Sequence, residues 1–186
     1  KGLHHVTSMA ADAKTNNAFF TDTLGMRRVK KTVNFDDPGV YHLYYGDELG
    51  TPGSVMTYFP FGQMPQGQRG VGEVGVTEFA VPPESLAFWQ EHLASQGVTG
   101  LSQEVLFGER RLRFVGPDGD SFALVETEDR NRIAWTGNGI GSDVGVLGFN
   151  GARFNLRKTD ATGELLEFIG YHKADTDGAV TRYLIE

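Results

Sequence analysis

The sequence predicts an α+β protein made of tandem βαβββ units, two complete and a third incomplete, and three observations carry that prediction. Glycines that can end a helix recur at Gly25, Gly97 and Gly170, separated by 72 and 73 residues, which marks an internal repeat. Each closes a segment with helical apolar spacing, and each is followed by short strand-like runs. The 25 glycines among 186 residues occur without low-complexity repeats, so they read as turns between many short strands.

Taken in order, the first unit spans 1–61. Leu3 to Met9 has strand character. Asp12 is a good N-cap, and a helix is expected through Leu24, with Phe20 and Leu24 forming a small apolar stripe and Gly25 as its stop. Met26–Val33, Val40–Tyr45 and Ser54–Phe59 read as strands. They are separated by the Asp36-Asp37-Pro38-Gly39 turn and the polar loop Gly46–Gly53. Residues 62–73 are rich in Gly, Gln and Pro and read as a linker. The second unit, 74–128, opens with the strand Val74–Val81. Pro83 suits a helix start, and Leu86, Trp89 and Leu93 share one helix face, each worth roughly 2 kcal/mol if buried. Gly97 ends that helix, and Arg110–Val115 with Ser121–Glu126 form a hairpin about Gly116–Asp120.

A second linker, 129–145, leads to the start of a third unit, 146–186. Its strand is Leu147–Leu156, its helix runs from Asp160 through Phe168, and Gly170 is the stop. Tyr171–Lys173 and Ala179–Ile185 flank an Asp175–Gly178 turn. The chain stops 16 residues after Gly170, whereas the first unit continues 34 residues beyond Gly25 to Phe59. A fragment is therefore expected, with a third unit that lacks its last strand and leaves an edge open.

Composition narrows the function. Net charge is −7 with no Lys/Arg-rich run, which argues against nucleic-acid or anionic-membrane partners. Cysteine is absent, so disulfides, zinc–thiolate sites and cysteine nucleophiles are excluded, and a reducing cytoplasm is the expected location. No apolar stretch is long enough to span a bilayer.

The chemistry-bearing stretch is Leu3-His4-His5-Val6-Thr7-Ser8-Met9. Alternate strand residues face opposite ways, so Leu3, His5, Thr7 and Met9 form one set and His4, Val6 and Ser8 the other. The strand offers one candidate metal ligand with a hydroxyl two residues on, plus a second imidazole next door; alternation does not say which histidine is the ligand. Among the other histidines, His42 reads as a buried, hydrogen-bonded strand residue rather than a ligand, His92 as exposed on an amphipathic helix, and His172 as a surface strand residue. Asp47 and Glu48 read as turn carboxylates. Tyr41, Tyr44, Tyr45, Tyr58 and Phe59 read as core, although one strand face could give an aromatic ring a stacking surface.

Two blocks carry a resemblance: Leu3-His4-His5-Val6-Thr7, and the run from Tyr41-His42-Leu43-Tyr44-Tyr45-Gly46-Asp47 to Thr57-Tyr58-Phe59-Pro60. Together with the tandem units, they resemble the vicinal oxygen chelate superfamily of glyoxalases, bleomycin-resistance proteins and extradiol dioxygenases. Within it the chain looks like the ring-cleaving hydroquinone dioxygenases, of the 2,6-dichlorohydroquinone 1,2-dioxygenase kind. That resemblance implies four units with a metal between the first and fourth. His5 would be a ligand, joined by a His and a Glu from a later unit outside this chain. The metal would be Fe(II), with Mn, Zn or Ni as alternatives. By the same resemblance, His4 would act beside the substrate as acid/base or hydrogen-bond donor, and Thr7 would orient through its hydroxyl. The partners would be a small aromatic substrate and O₂, in a homo-oligomer.

The family pattern puts first-strand ligand positions near Val76 and Asn150, and last-strand carboxylate positions near Tyr58 and Ala123. None of these is an iron ligand, and Glu126 falls three residues beyond its expected place. The rival functions are a glyoxalase-type metal-dependent lyase or isomerase, and a metal-free binding protein of the bleomycin-resistance type.

Overall fold

A computed structural model describes residues 2–62, 65, 67–129 and 131–185; positions 63, 64 and 66 of the expected linker lie outside the described residues. The first unit consists of β1 (His5–Ala10), α1 (Ala13–Ala18), β2 (Arg27–Val33), β3 (Tyr41–Gly46) and β4 (Val55–Pro60). Its sheet has the order β1-β4-β3-β2, with β1 parallel to β4 and the other pairs antiparallel. Asp12 caps α1 as the sequence predicts, its carboxylate accepting the Thr15 N–H at 2.7 Å.

The helix does not continue as α-helix to Leu24. Phe19–Thr23 forms a π-helical turn closed by Leu24 N–H donating to Phe19 C=O at 2.9 Å. The wider turn lets two successive phenylalanines enter the core. Phe20 stacks on Tyr45 at 4.7 Å, while Phe19 approaches Phe114 and Phe122 of the second unit at 6.4 and 6.0 Å.

The second unit consists of β5 (Glu73–Val81), α2 (Leu86–Ser95), β6 (Thr99–Leu106), β7 (Glu109–Val115) and β8 (Ser121–Glu126). Strand β6 has no clear signal in the sequence, because it is an edge strand with most side chains in solvent. Leu86, Trp89 and Leu93 are fully buried, as their spacing predicts. The helix begins three residues after Pro83. Glu126 closes its start by accepting the Leu86 N–H and pairs with Arg110, so it serves structure rather than metal binding. Gly25, Gly97 and Gly170 all have positive φ, at 68°, 73° and 101°, the helix-ending conformation that makes the repeat visible.

The third set is β9 (Gly148–Asn155), α3 (Asp160–Phe168), β10 (His172–Asp177) and β11 (Val180–Leu184). Strand β9 adds antiparallel to β5, giving a sheet of order β6-β7-β8-β5-β9, while β10 and β11 form a separate two-stranded ribbon. First strand thus pairs with first strand across the second and third units. By contrast β1 pairs with β4 alone and keeps its outer edge free among the described residues. Residues 129–145 hold no helix or strand among those described, yet Ala134 and Ile140 are buried and Trp89 donates its indole N–H to Val144 C=O at 2.7 Å.

One apolar core runs through both complete units, joining Phe20, Leu24, Met56 and Tyr58 to Phe79, Trp89 and Phe122. Beside it, the Asp120 carboxylate accepts hydrogen bonds from the Tyr58 hydroxyl at 2.6 Å and the Ser8 hydroxyl at 3.2 Å. Burial pushes this carboxyl above the usual carboxylate range, against the lowering effect of the Tyr58 and Ser8 bonds. On the second sheet, Arg111 is 1% exposed. It donates to Glu78 at 2.7 Å and to Glu109 at 2.8 Å, while Arg153 from β9 donates to Glu78 at 2.9 Å and to Glu104 at 3.0 Å.

Two outcomes follow. Arg111→Leu takes one cation from each of Glu78 and Glu109, which keep Arg153 and Arg182, and should cost about 1.5–3 kcal/mol in denaturant unfolding; a loss under 1 kcal/mol would mean the network is effectively solvated. Asp120 gives a pH signature. Its raised folded pKa means that the ionised form costs stability, and the cost disappears as pH falls through the folded value toward the unfolded one. The stability of the wild type relative to Asp120→Asn should therefore improve as pH drops from 7 into the carboxylate range. Movement in the opposite direction would show that the Tyr58 and Ser8 bonds outweigh burial.

Candidate active site

The parallel register of β1 on β4 sets the site. His5 lies opposite Val55, Thr7 opposite Thr57, and Met9 opposite Phe59. Because strand side chains alternate, this set shares the face of the first sheet that points away from the core. Val6 and Ser8 go the other way; Val6 packs on the core, and Ser8 reaches Asp120. On the open face, the Thr7 and Thr57 hydroxyls are 2.8 Å apart. Tyr44 pairs with Thr57 across β3 and β4, which places Tyr44 and His42 on this same face, with Lys30 opposite Tyr44 on β2.

His4 precedes β1, its carbonyl accepting the Gly53 N–H at 2.8 Å. Outside the regular strand, its ring is released from strict alternation. The Nδ1 atoms of His4 and His5 are 3.1 Å apart, with the rings edge to face. Both imidazoles and Thr7 are exposed. The structure therefore brings His4 to His5 and places Thr7 beside Thr57. Among the described residues no group of three or more His, Cys, Asp or Glu side chains comes together as a metal site. The described residues supply imidazole donors without completing a donor set.

Sequence reasoning missed the grouping around His42. Its Nε2 lies 3.2 Å from Thr57 Oγ1, and its Nδ1 lies 2.8 Å from the Tyr44 hydroxyl. The Tyr44 and Phe59 rings lie 4.1 and 3.9 Å from the imidazole, centroid to centroid. Burial, with the charges of His5 and Lys30, lowers the His42 pKa below the usual imidazole value. Burial also raises the Tyr44 phenol. Alternation held the signal: Leu43 and Tyr45 are buried, so His42 and Tyr44 face the other way. The same rule divides the aromatic group predicted as core. Tyr45 and Tyr58 are core, Tyr44 and Phe59 line the open face, and Tyr41 is exposed beneath the Lys31 ammonium.

The remaining positions resolve as follows. Tyr58, near the expected carboxylate position, faces Asp120, and Thr57 takes the place on the His5 side. Val76 and Ala123 pack with Val125 in a small apolar cluster, and Asn150 donates to Glu78 at 3.3 Å. His92 is not on a free helix face: its Nε2 lies 2.9 Å from Thr23 C=O and its ring stacks on Phe88, tying α2 to the first unit. His172 is exposed, as expected. Asp47 is a turn carboxylate, accepting N–H bonds from Leu49 and Thr51 at 3.1 and 2.9 Å.

Known proteins resemble this chain in sequence and fold. The sequence profile of the Glyoxalase/Bleomycin resistance protein/Dioxygenase superfamily matches residues 2–135. MhqE of Bacillus subtilis strain 168, named as a ring-cleaving dioxygenase, is 42% identical over 183 residues, covering 98% of this chain and 60% of its own. The chlorohydroquinone/hydroquinone 1,2-dioxygenase of Sphingobium indicum is 35% identical over 164 residues, covering 86% of this chain and 51% of its own. A crystal structure from Bacillus subtilis, named as a dioxygenase, superposes with a TM-score of 0.93 at 40% identity, covering 98% of this chain and 59% of that one. The chain thus spans between half and three-fifths of the length of these relatives. It belongs to the glyoxalase/bleomycin resistance protein/dioxygenase superfamily.

Proposed function

We propose that this chain forms part of a non-haem Fe(II) ring-cleaving dioxygenase that opens hydroquinones or related dihydroxybenzenes with O₂. The observation that carries the reading is the open face of the first sheet, where exposed His5 and Thr7 lie beside a hydrogen-bonded His42 and two aromatic rings. The superfamily membership and the relatives named as ring-cleaving dioxygenases support it. The absence of cysteine fits a cytoplasmic location, and no helix among the described residues is long and apolar enough to cross a membrane.

The pairing of β9 with β5 suggests how the metal site is completed. A fourth unit laid on the free edge of β1 in the same way would bring its own first strand beside His5, with a His and a Glu as the remaining ligands. Bound Fe(II) would supply joint activation of the substrate hydroxyl and O₂. The residues of this chain would do the rest. With His5 Nδ1–H donating to His4 Nδ1, the His5 Nε2 lone pair is left free to bind. His4 would then both orient His5 and exchange a proton beside the substrate, and Thr7 would hold the substrate hydroxyl. Tyr44 and Phe59 give the ring an apolar wall.

Anaerobic iron loading of the whole protein, followed by O₂ uptake with hydroquinone, separates this reading from a glyoxalase-type enzyme and from a metal-free binder. His5→Ala should abolish stoichiometric iron. His4→Ala should retain most of the iron and slow turnover by about 10²- to 10⁴-fold, the usual scale for losing an acid/base group. Iron content that survives His5→Ala and is lost in His4→Ala would reverse the two roles.

A further inference from the structure

We propose that Thr7, Thr57, His42 and Tyr44 form a proton relay that carries the substrate's hydroxyl proton from the open face of the first sheet to solvent. The proposal rests on the hydroquinone reading above and assigns a role to His42, Thr57 and Tyr44. Three contacts define the chain: Thr7 Oγ1 to Thr57 Oγ1 at 2.8 Å, Thr57 Oγ1 to His42 Nε2 at 3.2 Å, and His42 Nδ1 to the Tyr44 hydroxyl at 2.8 Å. Every member can both donate and accept, so the chain has two polarities. One end, Thr7, is exposed, the second member Thr57 is 1% exposed, and Tyr44 at the far end is half-buried.

The proton count balances. In the starting polarity Thr7 donates to Thr57, Thr57 donates to His42 Nε2, and His42 Nδ1–H donates to Tyr44. The substrate O–H gives its proton to Thr7 Oγ1 as the Thr7 proton passes to Thr57 and the Thr57 proton to His42 Nε2. The Nδ1 proton moves to the Tyr44 oxygen, whose own proton leaves to water. One proton enters, one leaves, and no residue ends charged; the substrate is left as the phenolate. Run backwards, the chain returns a proton to the product and restores its starting polarity.

The groups facing His42 fit a conductor rather than a store of protons. Burial disfavours imidazolium at His42, and Lys30 on β2, which sits over the Tyr44 ring at 5.6 Å, adds to the effect, while burial keeps Tyr44 a neutral phenol. His42 is also poorly placed as a metal ligand, because both of its nitrogens are already engaged. The second unit shows the contrast. By register, Glu78 and Ala123 stand where Thr7 and Thr57 do, and Arg111 precedes Arg113 as His42 precedes Tyr44. The Glu78–Arg111 ion pair fills that face instead.

The test uses nitrohydroquinone, a hydroquinone whose absorbance reports its ionisation, mixed anaerobically with the iron-loaded whole protein in a stopped-flow instrument. Wild type should bind and ionise the probe. His42→Phe and Thr57→Val should bind it with affinity within about threefold but ionise it about 10²-fold more slowly, and Thr57→Ser should retain the wild-type rate. Slow ionisation in both disrupting variants with rescue by Thr57→Ser supports the relay. Wild-type ionisation rates in His42→Phe and Thr57→Val overturn the relay and leave the hydroquinone reading standing. A wild-type protein that does not bind the probe removes the hydroquinone reading and the relay with it.

Discussion

The parallel register of β1 against β4 is the constraint on which the candidate site depends. A slip of one residue would turn His5 and Thr7 into the core and bring Val6 and Ser8 out. The register is pinned from behind. Ser8 and Tyr58 are directly opposed across the two strands, and both hydroxyls donate to the same Asp120 carboxylate from the second unit. Burying that carboxylate is costly, as its raised pKa records. The cost is tied to a function: the second unit holds the site face of the first in alignment.

The two units use the same scaffold in different ways. On the first sheet, short polar side chains at Thr7 and Thr57 and an imidazole at His42 leave an open, hydrogen-bonded face. On the second, Glu78, Arg111 and Arg153 interlock across β5, β7 and β9, and Val76, Ala123 and Val125 close the neighbouring space with apolar bulk. Charges that are buried and paired in this way resist displacement by a ligand. Among the described residues the first face stays open, and it carries His5 with His4 beside it.

Much of this was legible in the sequence. The glycine spacing disclosed the repeat because Gly25, Gly97 and Gly170 all serve the same left-handed helix stop. The buried helix stripe at Leu86, Trp89 and Leu93 followed from periodicity. Alternation also allowed a site face containing His5 and Thr7. Long-range pairings were not legible. Nothing local tells β9 to join β5, or brings Asp120 to Ser8 across 112 residues of chain. The π-turn at Phe19–Thr23 escaped because two adjacent phenylalanines must both be buried by contacts from different units. The strand of His42 shows its alternation alone; its partner Thr57 lies on another strand.

On the proposed reading, the open face of the first sheet is where substrate and metal meet. An anaerobic crystal structure of the whole protein loaded with iron and soaked with hydroquinone, with the metal located by its anomalous scattering, tests this most directly. Iron should be bonded to the His5 imidazole and a hydroquinone oxygen should lie within hydrogen-bond distance of Thr7 Oγ1, with His42 still held between Thr57 and Tyr44. Iron bonded to His42, or iron and hydroquinone lodged away from β1, would contradict it.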